Sequence, residues 1–160
     1  MRILIDESIL CYDNYMKKFV IGKPFETEFG FRETCFGICE REGKLLLTQK
    51  GNEISLVGGG MEDTETPEVC LKREFAEEVG YAISAIRELC DVDCYWLAAG
   101  SYPMRSLAHF YLVEVEESLF DPTEEGHQAI WIDKEHVKDL CPLPYHRKAI
   151  EYYLEKKPRD

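Results

Sequence analysis

Gly59-Gly60-Met61-Glu62-Asp63-Thr64-Glu65-Thr66-Pro67-Glu68-Val69-Cys70-Leu71-Lys72-Arg73-Glu74-Phe75-Ala76-Glu77-Glu78-Val79-Gly80-Tyr81 is the stretch on which the reading of this sequence turns. Thr66 suits a helix N-cap, Pro67 the first helical position and Gly80 the left-handed residue just past a helix end. The spacing predicts a helix from Pro67 to about Val79. At about 100° per residue, Glu74, Glu77 and Glu78 fall within a stripe about 100° wide, and Leu71, Phe75 and Val79 form an apolar stripe beside it. The apolar stripe commits that side of the helix to a core and holds the acids at its edge.

Upstream, Thr34 to Arg41 and Lys44 to Gln49 read as two strands joined at Glu42-Gly43, a hairpin, with Leu45, Leu46 and Leu47 predicting burial on both faces. A third strand, Glu53 to Val57, runs into a Gly58-Gly59-Gly60 turn. Downstream, Tyr81 to Leu89, Asp93 to Trp96, Leu107 to Val115 and Ala129 to Ile132 favour sheet, and Lys134 to Leu140 and Pro144 to Leu154 favour helix. The expectation is one α/β domain over residues 1–160, with a mixed sheet of six or seven strands.

The 160 residues carry 19 Lys plus Arg against 31 Asp plus Glu, a net charge of −12. Such a balance repels phosphate backbones, and no basic cluster offsets it, so neither a nucleic-acid polymer nor an anionic membrane is an expected partner. Acids interrupt the apolar start at Asp6 and Glu7 before a signal-peptide segment builds up. The cytoplasm is therefore the expected compartment, with reduced thiols. Cys35 with Cys39, and Cys90 with Cys94, have spacings that suit zinc, but both pairs sit in apolar, strand-like runs where packing is the better reading.

Three like charges at i, i+3 and i, i+4 repel on an isolated helix. A hard divalent cation offsets this: Mg²⁺, or Mn²⁺, takes carboxylate oxygens and completes its shell with water and phosphate oxygens. The glycine run adds backbone that a ligand can approach closely. A solvated acidic helix with Lys72 and Arg73 as salt-bridge partners is the plain alternative for the three glutamates taken alone.

The whole stretch resembles the Nudix box, Gly-x5-Glu-x7-Arg-Glu-U-x-Glu-Glu-x-Gly-U with U a bulky apolar residue. Every fixed position matches, and Phe75 and Tyr81 fill the U positions. Leu56-Val57-Gly58-Gly59-Gly60 is similar to the family's Leu-Pro-Gly-Gly entry, with Val57 in place of proline. The resemblance implies an αβα sandwich around a mixed β-sheet and Mg²⁺-dependent hydrolysis of a pyrophosphate bond in a small nucleotide or nucleoside diphosphate-linked molecule. It implies Glu77 and Glu78 as metal ligands, Gly59 as a backbone-carbonyl ligand, Glu74 as ligand or base, and Arg73 as the residue that orients the acids by pairing with Glu65. The family often adds an acid outside the box, before a Trp-containing strand that resembles His127 to Ile132. Here the matching position is Gln128, which leaves two readings of the acids just upstream: Glu125, or Glu124, reaches the site as a further metal ligand, or both sit in a plain surface loop.

His109 reads as a packed histidine and His146 as an exposed one at the start of the last helix. Tyr95, Trp96 and Tyr102 are available to stack a base or sugar, although packing is the commoner use of each ring. Two other classes remain in view: a nucleotide-sensing module that binds without cleaving, which has no need of all the box glutamates, and an isoprenoid diphosphate isomerase, which calls for a catalytic cysteine. A monomer or a homodimer fits the sequence equally.

Overall fold

Glu42 and Gly43 both adopt positive φ, 50° and 78°, the backbone that closes a two-residue hairpin with the twist its strands require. This computed structural model describes residues 16–116, 121 and 125–156; the Met1 to Glu7 start and Glu124 lie outside them. The strands are β1 (Lys17–Ile21), β2 (Gly30–Ile38), β3 (Glu40–Arg41), β4 (Lys44–Lys50), β5 (Glu53–Gly60), β6 (Ile83–Ala98), β7 (Tyr102–Val115) and β8 (His127–Asp133). The helices are α1 (Pro67–Val79), α2 (Lys134–Leu140) and α3 (Pro144–Lys156).

Among the described residues the strands form one eight-stranded sheet ordered β1-β6-β7-β2-β5-β4-β3, with β8 on β4. The β1–β6 and β2–β7 pairs are parallel and the other pairs antiparallel, so the sheet is mixed. Alternation along β4 sends Leu45 and Leu47 to one face and Leu46 to the other, and all three are fully buried. On the first face they join Phe36, Ile38 and Phe110 beneath Val137 of α2 and Ala149 and Ile150 of α3. On the second, Leu46 joins Val57 and Val113 beneath Leu71, Phe75 and Val79 of α1. Two faces covered by helices make the αβα sandwich.

Several boundaries differ from the sequence reading. The glycine run is strand, because Gly59 and Gly60 continue the ladder opposite Cys35 and Thr34. Thr34 to Arg41 divides at Cys39, whose carbonyl accepts from Leu46 N (2.9 Å) where β2 gives way to β3. The two segments expected on either side of Cys90 are one sixteen-residue strand, β6, kept in register with β7 by irregularities between Ile83 and Ala85 and between Glu88 and Cys90. β7 begins at Tyr102, five residues before the expected start, because a short 3₁₀ turn at Ala99–Ser101 links it directly to β6. β1 carries no periodicity strong enough to have been anticipated; it lies parallel to Cys90–Cys94 of β6. No described helix is long and apolar enough to cross a membrane.

Candidate active site

Helix α1 forms over the expected span. Thr66 Oγ1 accepts from Val69 N at 3.3 Å, and Gly80 sits at φ 72°, ψ 24° with its N–H donated to Phe75 O at 2.9 Å. Both ends are thus capped by the residues the sequence placed there. Leu71 and Phe75 are fully buried, and Glu74 and Glu78, on the flank of the buried side, are 8% and 6% exposed. Packing of the apolar stripe therefore draws two carboxylates out of bulk water.

Their surroundings come from the end of β5. Gly58 has φ 152°, and a Cβ there would lie 2.0 Å from Cys35 O, so only glycine fits. At Gly59 an added Cβ would meet Glu74 Oε1 at 2.7 Å. The absent side chain is the space that the Glu74 carboxylate fills, and it brings that carboxylate against bare backbone.

Arg73 gathers the remaining groups. Its Nε and Nη2 donate to the two oxygens of Glu65 at 2.8 and 2.7 Å, a bidentate fork. Nη1 donates to Glu74 Oε1 at 2.9 Å and Glu77 Oε2 at 3.2 Å, and Nη2 also reaches Gly60 O at 3.1 Å. One guanidinium thus offsets the repulsion among three glutamates, and the Arg73–Glu65 pairing expected from the sequence is the tightest contact of the set. Arg73, with Glu62 N donating at 2.8 Å, holds the Glu65 carboxyl down at about 2. Glu65 in turn pushes the Arg73 guanidinium up from its ordinary value. Cys70 Sγ lies 3.9 and 3.8 Å from Gly59 O and Gly60 O, at the floor of this cluster. The groups gathered around Arg73 are nearly all oxygen, the chemistry that hard divalent cations select, although among the described residues no three acids converge into a ready-made metal cluster.

The positions outside the box fall differently. Along β8, Ala129 and Trp131 pack on the α1 side, whereas Ile130 and Ile132 pack on the α2–α3 side. Strand period places Gln128 with Ile130 and Ile132, on the face of the sheet away from α1, so the expected correspondence of Gln128 with a site-facing acid is corrected. His127 shares the α1 side with Ala129 and Trp131, and its Nδ1 lies 3.0 Å from Thr48 Oγ1. Glu125 is exposed in the turn that leads into β8.

Two histidine readings are also corrected. His146 is 1% exposed rather than at the surface, with ring centroids of Phe36 at 4.2 Å and Tyr145 at 4.9 Å. The first turn of an amphipathic helix faces inward here, which helix-end position alone does not reveal. His109 is no apolar packing residue: Nδ1 meets Asp91 Oδ1 and Nε2 meets Glu33 Oε1, each at 2.7 Å, and the two acids, Asp91 foremost, raise its pKa. Register set this triad, since Asp91 and His109 are partners across β6–β7, and Glu33 lies on the neighbouring strand.

The rings of interest separate by strand alternation. Tyr95 packs with Phe25, Phe29 and the Arg105 guanidinium. Trp96 Nε1 donates to Ser106 Oγ at 2.9 Å, and Tyr102 is exposed. The described cysteines are all buried and free. Cys35 and Cys39 belong to the core under α1 and Cys90 and Cys94 to the core under α3, so the sheet itself separates the pairs. Burial pushes the Cys90 thiol up to about 12 and that of Cys94 to about 11.

Comparison with known proteins follows the same lines. Residues 32–154 match the NUDIX domain. The chain is 30% identical over 116 residues to an 8-oxo-dGTP diphosphatase of Haemophilus influenzae, covering 68% of this chain and 79% of that protein. It is 27% identical over 123 residues to a GDP-mannose pyrophosphatase of Salmonella arizonae, covering 75% of this chain but only 58% of the relative. The crystal structure of a MutT NUDIX hydrolase from Burkholderia pseudomallei superposes with a TM-score of 0.59 at 26% identity, over 76% of this chain and 97% of that one.

Proposed function

The chain belongs to the NUDIX domain family and is a hydrolase of acid anhydrides, and from this premise we propose that it cleaves the pyrophosphate bond of a small nucleotide or nucleoside diphosphate-linked molecule with the help of Mg²⁺. The observation that carries the reading is the gathering of Glu65, Glu74 and Glu77 with Gly60 O around Arg73, beside a Gly59 whose missing Cβ admits the Glu74 carboxylate.

In this proposal Glu77, Glu78, Glu74 and the Gly59 carbonyl hold Mg²⁺, with Mn²⁺ as the substitute, and Glu125 is the acid contributed from outside the box. A cation held there would supply Lewis-acid chemistry, polarising a phosphate, lowering the pKa of a water and offsetting charge on the leaving oxygen. Arg73 acts through the acids: its fork to Glu65 leaves Nη1 free to donate to both Glu74 and Glu77, so it holds Glu74 beside Gly59 and ties Glu77 to the same guanidinium. The buried flank of α1 excludes bulk water from Glu74 and Glu78, which strengthens their interaction with any cation. The substrate is a small molecule in the cytoplasm, handled by one domain spanning residues 1–160.

The test is release of nucleoside monophosphate across a panel of nucleoside triphosphates and nucleotide sugars, with Mg²⁺ and with EDTA. Hydrolysis that EDTA leaves unchanged overturns the metal-dependent reading, and no product across the panel overturns the substrate class.

A further inference from the structure

A cleft of about 670 Å³, within the size range of small-molecule sites, is lined by Arg41, Glu42, Lys44, Tyr81 and Trp131. None of the box acids lines it. Arg41 and Lys44 are register partners across the β3–β4 hairpin, so two cations stand directly opposite each other, an arrangement that destabilises a strand pair unless an anion lies between or beside them. Among the described residues neither forms an ion pair. Glu42 in the turn and Asp133, the partner of Lys44 on β8, are the acids nearest in chain and register. In a chain of net charge −12 the two cations share one cleft, and among the described residues Glu42 and Asp133 lie beside them without closing an ion pair with either.

The aromatic half of the cleft is fixed in advance. The Arg41 guanidinium lies over the Trp131 ring, 5.7 Å from its centroid, and Arg41 Nη2 donates to Val115 O. Tyr81 meets Trp131 edge to face, 6.3 Å between centroids at 88°. A bare inorganic anion would use only the cations. A planar ring carrying a phosphate uses both halves, the phosphate on Lys44 and Arg41 and the ring on Tyr81 and Trp131.

We propose that this cleft is a second binding site, distinct from the box acids, for a nucleoside monophosphate. It does not rest on the hydrolase reading, since its lining shares no residue with the groups assigned to the metal. Tyr81 directly follows the Gly80 cap of α1, so an occupant would touch the C-terminal end of the helix that carries Glu77 and Glu78.

Calorimetry with AMP in EDTA tests the site without divalent metal, with inorganic phosphate and adenosine as separate probes and Trp fluorescence as a second readout. AMP is expected to bind the wild type and the Glu77→Gln variant alike. Lys44→Glu, at an exposed strand end, is expected to keep the wild-type circular dichroism spectrum and to weaken binding at least 10-fold. The proposal is overturned if AMP does not bind, if Lys44→Glu leaves its affinity unchanged, if Glu77→Gln abolishes binding, or if phosphate alone binds as tightly as AMP.

Discussion

His146 keeps both ring nitrogens inside the core without a hydrogen-bond partner among the described residues, surrounded by Phe36, Phe110 and Tyr145. Burial pulls its pKa down to about 3 from an ordinary 6.5. The unfolded chain therefore binds a proton at a pH where the folded one does not, so this residue costs no stability above about 6.5 and destabilises progressively as pH falls from there toward 3. Urea unfolding of the wild type at pH 7 and pH 4.5 should show a clear drop in stability. The drop should shrink in His146→Phe, and an equal drop in both proteins would mean that other groups drive it. At the proposed metal site, Glu77→Gln and Glu78→Gln remove charge at nearly constant shape. Turnover should fall by about 10²-fold or more, the scale of losing one preorganised electrostatic group, while the melting temperature stays near that of the wild type. Wild-type turnover in either variant at saturating Mg²⁺ would remove that residue from the ligand set.

At the scale of elements, α1 holds to the sheet by Leu71, Phe75 and Val79. Leu71→Ala should cost about 2–5 kcal/mol in chemical denaturation, as is usual for a fully buried leucine. The end of β5 is constrained by backbone instead: at Gly58 a methyl group meets the Cys35 carbonyl, and φ 152° is outside the range of L side chains. Gly58→Ala should destabilise by at least about 1–3 kcal/mol from the backbone alone, and a variant as stable as the wild type would show that the β2–β5 ladder yields easily there. Strand β8 provides a contrast. Because Gln128 shares a face with Ile130 and Ile132, Gln128→Glu should leave Mg²⁺ affinity unchanged by calorimetry, whereas Glu125→Gln should weaken it if the turn before β8 supplies the outside acid. Tighter binding in Gln128→Glu would contradict the strand geometry.

Over the whole molecule, the sheet brings a local motif into contact with residues far away in sequence. The box was legible by itself because every part of it is local: caps at Thr66 and Gly80, a 3.6-residue period and acids one helical turn apart. The same holds for the β3–β4 turn, where Glu42-Gly43 needs only its own backbone preference, and for the two-faced burial of Leu45 to Leu47. Pairing across the sheet was decided only in three dimensions. Nothing near His109 in the chain announces Glu33, Asp91 is eighteen positions away, and the three meet because parallel and antiparallel registers align them. Nor does the sequence near Arg41 announce Trp131, which β8 delivers by pairing with β4. Local sequence determines helices, caps and turns because hydrogen bonds between near neighbours and side-chain periodicity suffice for them. Which strand faces which, and therefore which charges and rings share a surface, is set by burial of apolar area over the whole chain, where a one-residue shift of register turns every side chain to the opposite face.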